Sequence, residues 1–428
     1  MGRKKLTSTL NVYLNSELVG KLEKEPDGAI RFEYSYEWIE KGFAISLSLP
    51  LANKIFKGTQ ASFYFDNLLP DNENILNNIA QKFKAESTRQ FDLLNAIGKE
   101  CVGALSFFDE SITPTFAKKI SVKILTPEQI AKKIQGLSTD NPLGMEEGEF
   151  RLSLGGAQEK MALLKRKEKW GEPRDMTPTT HIFKKKMGNL LGGIDFNLSV
   201  DNEHICLKLA EHFGINVCES SIETFMEEKV LCVKRFDRVW KDDFLLRIPQ
   251  EDFCQAIGQS PKLKYEREGG PSIERMMKIL ENSNNAEDDR RMFIKTCLFN
   301  DLIYNTDAHG KNFSIYIVRQ GYALTPMYDL LSAHFISAQN QERYDSMRGS
   351  LSVNGKVKFN EIKKEDWFKE CEKCNFSEES FKEIILEMKN EIEKLGEFQE
   401  KIKAQVDVGH LDLIIEGIRR RWETLKMI

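Results

Sequence analysis

The sequence predicts an α+β chain of two lobes: a strand-rich N-terminal region and an all-helical C-terminal lobe from about residue 241. Three observations predict it. Short segments alternating apolar and polar residues recur up to about Trp240, as half-buried strands require. Apolar residues at helical spacing dominate from there to Ile428. The chain has 428 residues, 41% of them hydrophobic, and single cores stop growing at roughly 250–300 residues. The predicted units are an α+β subdomain over 1–110, a second strand-rich lobe over 111–240 and the helical lobe over 241–428.

In the first unit Leu10–Leu14, Leu18–Leu22 and Ala29–Tyr34 alternate in character, and Pro26-Asp27-Gly28 supplies a turn. A helix is expected over Glu73–Lys84, and Val102–Phe108 reads as a closing strand. After a linker containing Pro114, Thr126-Pro127-Glu128-Gln129 opens a helix with a capping box and proline at its first position. A connection of low structure, Ser138 to Gly148, follows. Strands are then expected at Lys160–Leu164, His181–Lys184, Ile222–Phe225 and Val230–Lys234. One helix interrupts them, carrying Ile205, Leu209 and Phe213 and stopping at Gly214.

Composition excludes several classes. No apolar run approaches the roughly 18 residues of a membrane span, and Met1–Leu6 lacks the apolar centre of a signal peptide, so a soluble, cytoplasmic chain is expected. The eight cysteines are scattered and read as reduced; Cys371-Glu372-Lys373-Cys374 has no second pair at zinc-site spacing. A net charge of −4, from 62 basic and 66 acidic residues, argues against nucleic-acid binding by the overall field. Lys165–Lys167, Lys184–Lys186 and Arg419–Arg421 are local basic clusters that could touch phosphate or form solvated faces.

The chemistry concentrates in Asp307-Ala308-His309-Gly310-Lys311-Asn312 and Thr325-Pro326-Met327-Tyr328-Asp329. An Asp, an Asn five residues later and a second Asp beyond repeat the order of protein kinases, where the first accepts the substrate hydroxyl proton and the others hold Mg²⁺ on nucleotide phosphates. A helix from about Asn285, burying Phe293, Cys297, Leu298 and Leu302, would anchor Asp307. The hairpin Ser314–Val318 and Tyr322–Leu324 would return Asp329 beside Asn312. Any one of these residues alone is more economically a loop end or an N-cap; the three in order point to phosphoryl transfer.

Asn305–Ser314, Tyr328–Ser332 and, upstream, Ser153-Leu154-Gly155-Gly156-Ala157-Gln158-Glu159-Lys160 resemble the HipA family of serine/threonine kinases, the toxin halves of HipBA toxin–antitoxin modules. Thr179–Lys184, Val200–Glu203, Arg235–Arg238 and Pro249–Asp252 extend the resemblance over nearly the whole chain. It implies a bilobed protein-kinase-like fold, ATP and Mg²⁺ as cofactors, Asp307 as catalytic base, and Asn312 and Asp329 as metal-holding residues.

It also implies a nucleotide site. Gly155, Gly156 and Ala157, with Gln158, Glu159 and Lys160, form a loop and strand start whose small residues let backbone N–H groups approach phosphate. Lys184 takes the position of the lysine that pairs α/β-phosphates; Lys185 and Lys186 are near enough to compete for the role, although strand alternation puts Lys185 on the other face. Glu203 either stabilises the dipole of its helix or pairs with Lys184. Lys234, Arg235 and Phe236 would lie at the adenine hinge, bonding through backbone groups; the family carries Glu where this chain has Lys234. His309 and Tyr328 complete the nucleotide-side set, His309 being either a phosphate ligand or a packed loop residue.

Ser153 matches the family's autophosphorylated serine, whose phosphate would compete for the same amides and switch the kinase off. Implied partners are a HipB-like helix-turn-helix antitoxin, operator DNA mainly through that antitoxin, and a protein substrate, glutamyl-tRNA synthetase in the best-known members. Two other readings share the catalytic order: a small-molecule or lipid kinase, and a nucleotide-binding corepressor without essential transfer.

Overall fold

A computed structural model of the chain describes residues 8–114, 120–137, 158–190 and 193–427. The predicted Gly155-Gly156-Ala157 loop, Ser153 and the Ser138–Gly148 connection lie outside the described residues.

The N-terminal unit is an antiparallel five-stranded sheet in the order Ile55–Lys57, Ile30–Tyr34, Glu17–Lys24, Ser8–Leu14, Leu105–Asp109. Alternation in Ser8–Leu14 turns Leu10, Val12 and Leu14 inward, where they join Phe32, Phe56, Phe65 and Phe107 under the helices Thr59–Asp66, Glu73–Lys82 and Gln90–Ile97. The last strand starts three residues later than its apolar run suggests. Gly103, in the left-handed region at φ 73°, donates its N–H to the Asp237 carboxylate at 2.8 Å, which draws residues 102–104 out of the ladder and ties this unit to the next.

The second unit is a six-stranded sheet in the order Ser220–Phe225, Glu228–Lys234, His181–Lys185, Lys160–Arg166, Lys169–Pro173, Val122–Ile124. Its helix Pro127–Gln135 starts as expected, with Thr126 and Gln129 closing a reciprocal capping box. The helix Ser199–His212 packs on the two strands that follow it, Ser220–Phe225 and Glu228–Lys234, and ends before Gly214, at φ 72°.

The C-terminal part departs from the all-helical expectation. Helices predominate: Ile273–Leu280, Ala286–Leu302, Lys364–Lys373, Glu378–Glu393, Leu395–Ile402 and Val408–Leu425. Among them lie a three-stranded sheet, Gln250–Asp252, Ser314–Val318 and Gly321–Leu324, and the hairpin Arg348–Val353 with Lys356–Lys358. The hairpin Ser314–Val318 with Gly321–Leu324 is the one its alternation predicts, whereas three-residue strands such as Gln250–Asp252 are too short to show a two-residue period.

Leu298, Phe299, Trp367, Phe381, Ile414 and Ile418 are in one core beneath these elements. Arg421 belongs inside it, not to a phosphate-facing cluster: its guanidinium grips Asp301 at 2.8 Å while Trp367 donates to the same carboxylate. All eight cysteines are buried free thiols, including Cys371 and Cys374. Among the described residues no helix is long and apolar enough to cross a membrane.

Candidate phosphate-handling site

Lys184 is the hub. It lies on a central strand, beside Leu231 on one neighbour and Lys160 on the other. Its ammonium contacts Glu203 at 2.6 Å and Asp329 at 2.8 Å. Glu203 therefore makes the ion pair, and its place in the helix's first turns is what lets it reach. Alternation holds: Lys185 points elsewhere and donates to the Leu137 carbonyl at 3.3 Å, while Lys186 is exposed.

Two devices bring Asp329 to this point. Met327 forms a parallel bridge to Val217, with the Met327 N–H on the Asn216 carbonyl and the Cys218 N–H on the Met327 carbonyl, both at 2.8 Å. Just beyond, the Asn202 side chain closes a two-way bond with the backbone of Ser332, at 2.9 Å and 2.8 Å. The helix that carries Glu203 thus holds the segment that carries Asp329. Asp329 itself sits at φ 58°, a left-handed conformation that aspartate tolerates better than most residues but still at a cost.

The electrostatics follow from this packing. Burial opposes the Lys184 charge, but Asp329 and Glu203 outweigh it and raise its pKa. Burial pushes Glu203 up to about 7 against the pull of Lys184. Asp329 is also penalised by burial, yet Lys184 holds it down at about 2, so it stays anionic. Burial and the neighbouring Lys184 lower Lys160 to about 8. Gln158 donates to the Lys185 carbonyl at 2.8 Å, and Glu159 is half-buried at the start of the strand.

The catalytic-order loop sits at the end of the helix Ala286–Leu302, which breaks at Tyr304, at φ 51°. Asn305 caps the following turn by accepting the Asp307 N–H at 3.0 Å. The Asn312 side-chain N–H₂ donates to the Asp307 carbonyl at 2.7 Å, which leaves the amide oxygen as the atom it can offer.

The Asp307 carboxylate is half-exposed and accepts the Tyr265 hydroxyl at 2.7 Å. His309 lies 3.8 Å from that carboxylate, also senses the Asp329 charge, and is kept neutral by burial. Its Nδ1 is buried with no hydrogen-bond partner among the described residues. Tyr328 is partly buried, donates to the Lys311 carbonyl at 2.8 Å and meets Ser314 at 2.5 Å, and its ring packs 5.7 Å from Phe236.

The hinge residues divide. Phe236 borders the cleft through Tyr328. The Arg235 guanidinium turns away into a closed network with Asp237, Glu100 and Thr179, so its side chain is structural. The amide N–H groups of Lys234 and Arg235 are already given to the Glu219 and Thr180 carbonyls. Sequence reasoning missed Tyr265, Asn202 and Lys311. Lys311 stands between Asp307 and Asn312, yet it reaches back to Asn67 at 2.8 Å and Asp252 at 3.0 Å.

For Mg²⁺ the fit is good. Asp329 supplies an anionic oxygen and Asn312 a neutral one, the sparse hard-oxygen set that Mg²⁺ takes when phosphates and water complete its shell. Lys184, Lys160 and the orphaned His309 nitrogen suit phosphate oxygens.

A strand-rich lobe bearing a lysine–glutamate pair, set over a helical lobe bearing an Asp-x₄-Asn loop and a second Asp, defines a bilobed chain of the kinase-like class. The chain belongs to the HipA family: the HipA N-terminal domain matches residues 10–108 and the HipA-like C-terminal domain matches residues 152–395. It is 33% identical over 330 residues to Y4mE of Sinorhizobium fredii, named as a candidate kinase, covering 76% of this chain and 77% of that one. It is 29% identical over 340 residues to the serine/threonine-protein kinase toxin HipA of Shewanella oneidensis, covering 76% and 75%. A solved complex of Shewanella oneidensis HipA, HipB and operator DNA contains a chain of the same fold, with TM-score 0.79 at 23% identity over 98% of this chain and 99% of that one.

Proposed function

We propose that the chain is an ATP- and Mg²⁺-dependent serine/threonine protein kinase acting as the toxin of a toxin–antitoxin pair. The observation that carries this reading is the convergence of Glu203 and Asp329 on Lys184, because it sets a phosphate-pairing lysine and a metal-holding carboxylate in one cluster. ATP with Mg²⁺ supplies the phosphoryl group. Lys184 and Lys160 hold phosphate oxygens, and Asp329 with Asn312 holds the ion. Asp307 orients the acceptor hydroxyl and takes its proton as the new O–P bond forms and the bond to the ADP oxygen breaks. Tyr265 keeps the Asp307 carboxylate aimed through its 2.7 Å bond.

The domain division 1–110, 111–240 and 241–428 is part of this reading; the separate core of the first unit supports its first boundary, while Ile205, Leu209, Phe213 and Leu231 share the core of the helical part across the second. Self-inactivation by phosphorylation of Ser153, corepression with a HipB-like helix-turn-helix antitoxin on operator DNA, and glutamyl-tRNA synthetase or a related translation component as target complete it. The Shewanella relative's name and its complex with HipB and DNA support the toxin and antitoxin roles. Mass spectrometry of the purified chain after incubation with ATP and Mg²⁺ tests the proposal. Phosphate is expected on Ser153 in the native chain and on none of the Asp307→Asn variant, which should still bind ATP. Equal incorporation by Asp307→Asn would sink the assignment of the base.

A further inference from the structure

A cavity of about 330 Å³ opens beside Asp307. Of the phosphate-handling residues it touches Asp307 alone: Lys184, Glu203, Asn312, Tyr328 and Asp329 do not line it. The base therefore stands between the phosphate cluster and this second space, the side from which an acceptor hydroxyl must come.

Its walls are of two kinds. Phe196, Leu331, Phe335 and Ile336 form an apolar side, with Phe196 and Phe335 stacked at 4.6 Å so that this side is firm. Arg267 and Arg348 form the other, both exposed. Arg267 lies over the ring of Tyr265 at 5.1 Å and 3.8 Å from Glu268, a loose, solvent-facing pair. The Arg348 side chain has no hydrogen-bond or ion-pair partner among the described residues, and Glu361, which feels its charge, is itself bonded to Lys358. Asp307 is the sole carboxylate in the lining. A cavity with an apolar wall, one unpaired and one loosely paired arginine and a proton acceptor selects by charge complementarity.

We infer that this cavity is the acceptor site, and that it takes a protein segment in which the phosphorylated serine or threonine is flanked by an apolar residue and a carboxylate. This deepens the kinase reading and rests on it. The apolar flank packs on Phe335 and Leu331, the carboxylate meets Arg267 and Arg348, and the hydroxyl is left at Asp307, where it loses its proton as the O–P bond forms and ADP departs.

The test uses the full chain and three labelled serine peptides of equal length, with acidic, neutral or basic residues beside an apolar one. Fluorescence anisotropy reads binding and phosphate incorporation reads transfer. The acidic peptide should bind and turn over at least about five-fold better than the neutral one, the scale of a partly exposed charge pair. The double variant Arg267→Glu, Arg348→Glu should reverse the order and favour the basic peptide, while Arg267→Lys, Arg348→Lys should keep it. Reversal itself reports that the variant is folded. Equal binding of the three peptides, or a preference untouched by the charge swap, overturns the inference. Selective binding of the acidic peptide without any transfer upholds the site and counts instead against the kinase reading.

Discussion

Two of the buried charge clusters among the described residues behave in opposite ways. One joins Glu100 and Asp237 to Arg235, Arg238 and Arg247, with the arginines also donating to the carbonyls of Cys101, Gly103 and Met176. It ties the N-terminal subdomain to the hinge and is closed on all sides. The other joins Lys184 to Glu203 and Asp329; here the Asp329 side chain is 34% exposed and its backbone is held in the left-handed region. Both shift ionisation strongly, since their charges hold Glu100 far below its usual range and Asp329 at about 2. Perturbed titration alone therefore does not separate a structural node from a working site. Access and stored backbone strain do.

The largest expected effect breaks the closed cluster. Glu100→Ala leaves three arginines with one carboxylate among them, and removing one partner of a buried ion network costs about 3–5 kcal/mol. Thermal unfolding should show a marked drop, most visible in the N-terminal unit. A melting point within a degree or two of the parent would mean that the node is a bystander.

Glu251 sharpens the comparison through pH. Its Oε1 accepts the Leu47 N–H at 2.8 Å, its Oε2 has no partner among the described residues, and burial raises its pKa from 4.5 to about 8. The folded chain thus keeps this proton up to about pH 8, whereas the unfolded chain releases it near 4.5. Over that window the folded state binds more protons, so this contribution is full at the acidic end and is lost as pH rises, on the order of a few kcal/mol. Glu251→Gln should flatten the decline of stability between pH 5 and 8; an unchanged slope would assign it to other groups.

The two clusters also differ in how far the sequence revealed them. The open one was legible although Lys184 meets Asp329 across 145 residues, because each of its segments carries a pattern of its own. Asp307 and Asn312 share one loop, Asp329 follows a hairpin, and strand alternation separates Lys184 from Lys185. Glu203 was ambiguous, since a glutamate near a helix start favours the dipole whether or not a lysine is near, and Lys186 and His309 were left open as well. The closed cluster was illegible not because Glu100 meets Arg235 across 135 residues but because no pattern in either segment announces the other. Arg235 was therefore read toward the nucleotide from its neighbours in sequence rather than its neighbours in space. Tyr265 escaped for the same reason: it comes from an irregular segment 42 residues before the carboxylate it holds, without any periodic signal.

Cutting into the open cluster should separate function from stability. Asp329→Ala leaves the Lys184–Glu203 pair at 2.6 Å in place, so the fold loses little, but the anionic metal oxygen is gone. Isothermal titration should show Mg²⁺-dependent ATP affinity reduced at least about ten-fold, or ~1.4 kcal/mol. Lys184→Ala should weaken ATP binding comparably, with or without the ion. The Glu203 carboxyl, already raised to about 7, then takes up a proton rather than remaining charged and alone. If neither variant changed nucleotide affinity, the phosphate-pairing lysine would have to be sought at Lys186.

The smallest expected effect belongs to Lys234, and its smallness is the point. Lys234 and Arg235 are adjacent, but the first carries an open ion pair and the second a closed one. The Lys234 ammonium meets Glu219 at 2.7 Å with the two side chains 50% and 75% exposed. An exposed pair of this kind contributes about 0–1 kcal/mol, because solvent screens it and two long side chains must be ordered to make it. Its N–H, meanwhile, is held by the Glu219 carbonyl whatever side chain the position bears. Lys234→Ala should therefore shift unfolding by less than about 1 kcal/mol and leave ATP affinity within about two-fold, while Arg235→Ala in the same titration unfolds early. A large loss of ATP affinity in Lys234→Ala would show that the side chain, not the backbone of the hinge, reads the nucleotide.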